Sequence, residues 1–361
     1  MKQYENKSFS QNILLEEDVF PVKRGDFLGF TGNSGGSGGP HLHYEIRYTD
    51  TQEPVNPLFF GLKIKDNIKP CIKGLAIYPL ENSIVNGSTS PFYTYSLENP
   101  LFEVGGDIAF GINVFDQADG SNNKNGPYSI ELFADDKLIF SITSYKYSYS
   151  ETRYVNSLID YSYFINNKER FIRTEIDEFN KLSVYDVKDG IVAVNQGDTL
   201  KMKYVVKDYN NNVSILPFTL VGVESPEIEQ NNILPNLSYN IFDGKSCDIN
   251  LNGFEAHIPK NAFYRDVTLG VSKIDTIENI FSDYAYRFGS NDVPLHKKIK
   301  IRIKVAEEFV DDTLLYVAAM LCLLVSCRQS NPYHFDGSIN QDVLERYLSR
   351  SVTMSEFLTV D

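Results

Sequence analysis

The sequence predicts a mainly-β protein that consists of several domains, and two observations indicate this class. Tyr contributes 23 and Phe 24 of the 361 residues, and both residue types are enriched in β-strands. Short runs of alternating apolar and polar residues recur along the chain, separated by turns rich in Gly, Asn and Asp. A chain of this length forms two or three domains more often than one.

The composition excludes three classes of protein. The net charge of −14 is opposite to the basic surface that a nucleic-acid-binding protein requires. The hydrophobic content of 42% is high enough to build cores, so the chain is not intrinsically disordered. Its 4 cysteines are too few for a small disulfide scaffold. The first residues lack the apolar stretch of a signal peptide, so the sequence predicts no N-terminal signal peptide.

The first predicted segment, residues 1–66, contains the motif that carries chemistry. Residues 22–30 are predicted to form a strand that is interrupted by a turn. A Gly- and Ser-rich loop follows over residues 31–40, but it lacks the Lys-Ser/Thr ending of a phosphate-binding loop. Residues 41–47 alternate with a period of two, which predicts a second strand.

The second strand presents two histidines on one face. His41, His43 and Glu45 share that face, and two residues at this spacing lie about 6–7 Å apart. One imidazole can bind a metal while the other contacts a metal-bound water. This arrangement suits metal-assisted hydrolysis of a carbonyl compound. The His-x-His pattern by itself leaves a purely structural role open.

Taken together, these pieces resemble a known family. Gly25-Asp26, the Gly/Ser run at 32–39 and His41-Leu-His-Tyr-Glu45 resemble the C-terminal part of the lysostaphin-type (LytM-like) zinc metalloendopeptidase domain. Asn56-Pro-Leu58 resembles the Asn-Pro ending that follows this domain. The resemblance covers about residues 18–60, so it concerns only a part of an antiparallel β domain.

The resemblance implies a zinc peptidase that hydrolyses the peptide cross-bridge or stem of peptidoglycan. It implies that His43 is a Zn²⁺ ligand and that His41 is the catalytic residue that acts as general base or stabilises the transition state. It also implies that the intact parent protein belongs to the bacterial cell envelope or periplasm.

The sequence departs from the family at the metal site. The family's other two zinc ligands are a His and an Asp upstream of the His-x-His strand, and this chain has no histidine before His41. One explanation is a truncated enzyme that is inactive as given. The alternative is a non-catalytic envelope protein whose degenerate LytM-like domain binds peptidoglycan or regulates another hydrolase. A gene fragment without a function of its own is a third reading.

The second segment, residues 67–225, is predicted to be a β-sandwich domain. Residues 107–115 read as a strand, and residues 128–142 and 199–221 each read as a hairpin around a polar turn. Strands that recur at roughly ten-residue spacing favour an immunoglobulin-like sandwich.

Two further motifs in this segment have two readings each. The loop at residues 116–126 has enough acids and amides for Ca²⁺, but its spacing does not match an EF-hand, and a solvated turn is the simpler reading. Tyr145, Tyr147 and Tyr149 recur with a period of two, which predicts one face of a strand, with glycan stacking as the alternative.

The third segment, residues 226–305, is predicted to be a second, smaller β domain. Residues 253–260 and 265–271 read as strands. Residues 298–305 alternate strictly between Lys or Arg and Ile or Val, so one face of that strand is solvated and the other is buried.

The fourth segment, residues 306–361, is an atypical tail. The apolar run at 314–327 is too short to span a bilayer, and its end at Leu324-Val-Ser-Cys327 resembles a bacterial lipobox. Because acidic residues precede this run, we expect a fusion to the start of a lipoprotein, with a buried helix as the alternative. Contact with a membrane is expected only if the Cys327 segment acts as a lipoprotein signal.

Overall fold

The structure is a computed structural model with two compact units, Met1–Glu45 and Ile46–Asp361. The residues that it describes are 7, 19–33, 39–225, 237–242, 244–274, 285–290, 292–304 and 357–360. Strands make up 42% and helices 8% of the structure, so the predicted mainly-β class is confirmed. The immunoglobulin-like form of the sandwich and the four domain ranges stay predictions. The predicted lipobox-like run at 314–327 lies outside the described residues.

The first unit contains the predicted turn but no strand in its described part. The amide of Asp26 donates to the carbonyl of Lys23 at 3.0 Å, and the Asp26 side chain accepts from the Lys23 amide at 2.7 Å. Gly25 closes this turn with a φ of 99°, which a residue with a Cβ rarely adopts. The predicted strand at 41–47 is formed only at Ile46–Arg47, because a strand requires a hydrogen-bonded neighbour along its length.

The second unit begins with a small hairpin and a large curled sheet. Its strands between residues 46 and 222 have these bounds: β1 Ile46–Arg47, β2 Pro54–Val55, β3 Cys71–Pro79, β4 Ile84–Val85, β5 Phe92–Thr94, β6 Leu101–Phe115, β7 Ser129–Ala134, β8 Lys137–Thr143, β9 Ile172–Arg173, β10 Tyr185–Lys188, β11 Ile191–Val194, β12 Thr199–Lys207 and β13 Val213–Gly222. Strands β1 and β2 pair with each other.

Within the described residues, the main sheet has eleven strands. The order is β10-β8-β7-β12-β13-β6-β3-β5, and β4, β9 and β11 also pair with β6. All of these pairings are antiparallel except the one between β13 and β6, which is parallel. The core of this sheet includes the fully buried side chains of Phe110, Phe140, Leu132 and Tyr204.

The long strand β6 connects the two halves of the main sheet. Its first residues pair with β13 and its later residues pair with β3. Gly106 lies between these pairings and has a φ of 89°. A Cβ at this position would clash with the side chain of Ser83. Glycine therefore permits the bend at which the strand changes partners.

Short helices lie between β8 and β10. The two α-helices are Val155–Leu158 and Tyr161–Asn167, and 3-10 turns occur at Pro57–Phe60 and Tyr149–Tyr154. Asp160 caps the second α-helix because its carboxylate accepts from the Tyr163 amide. None of the described residues forms a helix that is long and apolar enough to cross a membrane.

The region after residue 236 forms two smaller sheets. Their strands are β14 Ser238–Ile241, β15 Cys247–Leu251, β16 Phe254–Ile258, β17 Val267–Ile274, β18 Ala285–Phe288, β19 Lys300–Lys304 and β20 Phe357–Val360. One sheet has the order β14-β17-β18 and the other β15-β16-β19-β20. In β19, Ile301 packs on the core while Arg302 points to Glu255 at 3.2 Å, as the alternation predicts.

Candidate functional site

The two predicted site histidines lie in extended chain at the end of the first unit. The Nδ1 atom of His41 lies 3.0 Å from the carbonyl oxygen of Gly39. The Nε2 atom of His43 contacts the carboxylate of Glu45, and the His43 side chain is 70% exposed. The structure therefore brings together His43 and Glu45, which the sequence places on one strand face.

The contact between His43 and Glu45 fixes one ring nitrogen of the imidazole. A carboxylate on one nitrogen orients the ring and makes the other nitrogen a better metal ligand. This pair can contribute one ligand, Nδ1 of His43, to a metal centre. A catalytic zinc requires three protein ligands. Among the described residues, no group of three potential ligands includes His41 or His43, so the described part of the chain does not fit a complete zinc site.

Large apolar side chains around the histidines are exposed to solvent. Leu42 is 80% and Tyr44 58% exposed, and in the preceding segment Phe27, Leu28 and Phe30 are between 74% and 94% exposed. Exposed apolar residues at this density mark a surface that another polypeptide covers, because soluble proteins rarely leave such patches open.

The residues that follow the His segment belong to the second unit and pack against its main sheet. The amide of Asn56 donates to the carbonyl of Tyr145 at 2.9 Å, and the amide of Tyr147 donates to the carbonyl of Pro54 at 3.3 Å. The ammonium group of Lys146 lies 2.7 Å from the carboxylate of Glu53. Backbone and charge pairing together join this short segment to the stretch after β8.

Aromatic contacts strengthen this attachment. The ring of Phe59 lies 5.0 Å from Tyr209, 5.1 Å from Tyr145 and 5.9 Å from Tyr128. Arg47 stacks on Tyr149 at 5.1 Å and donates to its hydroxyl at 3.2 Å. The sequence treats the tyrosines at 145–149 as a strand face or a glycan platform, but in the structure Tyr145 and Tyr149 contact residues of their own chain.

A second cluster of chemically active groups lies at the main sheet. One carboxylate oxygen from each of Asp66, Asp116 and Asp208 lies within 4.8 Å of the other two. The sequence indicates only the loop that begins at Asp116. Asp66 and Asp208 cannot be recognised as part of the cluster from the sequence, because they come from distant parts of the chain. The turn Asp208-Tyr-Asn-Asn-Asn212 is the signal that could have indicated the second of them.

The histidines of the C-terminal region that the structure describes have other roles. The Nδ1 atom of His257 lies 2.6 Å from Asp248 on the neighbouring strand. His296 stacks on Tyr154 at 4.3 Å, and its carbonyl accepts from Arg153 at 2.8 Å. Both observations agree with structural roles.

Comparison with known proteins adds one partial similarity. The sequence model of the Zu5-like domain family matches residues 242–328, which include strands β15 to β19. This match covers less than half of the chain, so it describes that region and not the protein as a whole. No curated protein and no solved structure shows significant similarity to the chain.

Proposed function

We propose that residues 18–60 derive from the C-terminal part of a LytM-like zinc metalloendopeptidase domain, and that the parent protein acts on peptidoglycan peptides in the bacterial envelope. The motif from Gly25 to Glu45 is the basis of this proposal. The observation that carries it is the exposure of Leu42, Tyr44 and their apolar neighbours beside His41 and His43. Exposed apolar side chains at this density mark a surface that another segment or chain covers.

In this proposal His43 is the metal ligand and His41 is the catalytic residue beside it. The described residues supply no complete set of zinc ligands, so we expect weak zinc binding and little or no peptide hydrolysis from the chain alone. Hydrolysis requires additional ligands from outside the described residues.

The incomplete ligand set also favours a second candidate function. A degenerate LytM-like domain can bind peptidoglycan peptides or regulate another hydrolase without hydrolysing anything itself. This reading requires the extended segment at 41–45 to contribute to recognition of a peptide, as extended segments do in β-augmentation.

Metal analysis of two purified proteins separates these functions. One is the chain as given, and the other is the chain extended upstream through its genomic reading frame. We expect about one zinc per chain only in the extended protein. In that protein, His43→Ala should abolish zinc binding, whereas His257→Ala should retain it because His257 pairs with Asp248.

Each outcome selects one reading. Stoichiometric zinc in the chain as given would contradict the incomplete site and require other ligands. Absence of zinc from both proteins would contradict the peptidase reading and leave the binding or regulatory reading. Zinc that survives His43→Ala in the extended protein would refute the assignment of His43.

A further inference from the structure

The three clustered aspartates come from three separate segments beside the main sheet. Asp116 follows β6 directly, Asp208 follows β12 directly, and Asp66 lies in the segment before β3. Hydrogen bonds hold two of them in place. The amide and the side chain of Asn212 donate to the Asp208 carboxylate at 2.8 and 2.7 Å, and that side chain also donates to the Asp66 carbonyl at 3.2 Å.

The cluster contains buried negative charge that no Lys or Arg neutralises in the part of the chain that the structure describes. Asp208 is only 2% exposed. None of the three aspartates forms a salt bridge with a Lys or Arg in the described part of the chain. The nearby Lys65 instead lies 3.6 Å from Asp119. Buried carboxylates in proteins are paired with cations or coordinate metals, because an isolated buried charge is strongly unfavourable.

A second observation at Asp116 points to a missing ligand. Its Oδ1 atom is buried from solvent, and no described group donates a hydrogen bond to it. A buried oxygen without a partner is rare in native proteins and commonly marks the position of an ion or a water.

The donor set indicates the kind of cation. All converging groups are carboxylate oxygens, and a site made only of oxygen ligands suits a hard cation better than zinc, whose sites include Cys or His. One carboxylate oxygen from each aspartate lies within 4.8 Å of the other two, which is close enough for the three to share one cation. Mg²⁺ requires near-ideal octahedral geometry, whereas Ca²⁺ accepts irregular sites of oxygen ligands, so carboxylates from three separate segments suit Ca²⁺ better.

We propose that Asp66, Asp116 and Asp208 bind one Ca²⁺ ion. The ion fastens the segment before β3 to the loops that follow β6 and β12. This site is independent of the proposed peptidase function, because its three ligands lie outside residues 18–60, which carry the resemblance.

The test is calcium binding to the full chain after treatment with EDTA. Isothermal titration with CaCl₂ should show one site with a dissociation constant of about 10⁻⁵ to 10⁻³ M. Saturating Ca²⁺ should raise the thermal midpoint by about 5 °C, since the ion binds the folded state only. Asp116→Asn should weaken binding at least ~10-fold.

The matched control is Asp189→Asn, because the Asp189 side chain is 74% exposed and lies outside the cluster. It should leave calcium affinity unchanged. In EDTA, Asp116→Asn should melt at or above the wild-type temperature, because it removes one of three repelling carboxylates. This readout also shows that the variant folds.

Three results would overturn the proposal. One is a thermal midpoint and a titration that do not respond to Ca²⁺. Another is a calcium response that Asp116→Asn retains in full. Equal affinity for MgCl₂ and CaCl₂ would overturn the assignment to Ca²⁺.

Discussion

Replacement of Tyr204 by Phe should stabilise the protein. Tyr204 is 0% exposed in the core of the main sheet, and its ring stacks with Phe218 at 6.1 Å. Its hydroxyl has no hydrogen-bond partner among the described residues, and burial raises its pKa well above the usual value. An unsatisfied buried hydroxyl costs about 1–3 kcal/mol. Phe retains the ring and the packing, so we expect a gain of about 1–2 kcal/mol.

Tyr185→Phe is the matched control with the opposite sign. Tyr185 is also buried, but its hydroxyl accepts a hydrogen bond from the side chain of Asn180 at 3.1 Å. Its loss should lower stability by about 0.5–1.5 kcal/mol. Urea unfolding followed by circular dichroism measures both changes. If Tyr204→Phe destabilises the protein as much as Tyr185→Phe does, the Tyr204 hydroxyl has a partner such as a buried water, and the reasoning is wrong.

Three further predictions concern other parts of the second unit. Gly222→Ala should destabilise the protein by at least ~3 kcal/mol, because its Cβ would lie 1.9 Å from the carbonyl oxygen of Asn195. Gly126 has open space around it, so Gly126→Ala should be neutral in the same urea assay. Tyr95 donates a hydrogen bond to Glu169, and this bond, together with Lys73, lowers the pKa of the Glu169 carboxyl. The ionised carboxylate therefore stabilises the folded state above pH ~4.5, and this stabilisation is lost as the pH falls below that value. The difference in urea midpoint between wild type and Glu169→Gln should therefore shrink from pH 7 to pH 4, and an unchanged difference would contradict this. Phe59→Ala should lower stability by about 1–2 kcal/mol and speed proteolysis near residue 55, whereas Phe60→Ala, without the tyrosine contacts, should have little effect.

Local patterns predicted five of the eleven described strands of the main sheet, namely β6, β7, β8, β12 and β13. The hairpin of β7 and β8 turns at Asp135 and Asp136, which both have positive φ angles, and the polar turn in the sequence indicates this directly. The parallel pairing of β13 with β6 could not be predicted, because it joins segments that are distant in sequence. Such pairings depend on the packing of the whole sheet and not on local propensity.

The candidate sites differ in how far the sequence reveals them. His41 and His43 stand in one short motif, and only together with the Gly-rich loop before it does their spacing predict a metal-related function. The strand predicted around them was largely wrong, because the described residues give it no neighbour before Ile46. The acidic cluster depends on three loops that only the fold brings together, and the sequence indicated only the loop of Asp116.

The residues from Ile46 to Asp66 belong to the second unit through contacts that no local sequence pattern records. The first predicted segment extends to residue 66. In the structure, three successive attachments join this stretch to the main sheet: Arg47 on Tyr149, Phe59 among three tyrosines, and the Asp66 carbonyl on Asn212. Each attachment combines groups that are distant in sequence, so no local pattern records it. The stretch from Ile46 to Asp66 is therefore part of the second unit and not a flexible linker, because a linker leaves its backbone and aromatic groups in solvent.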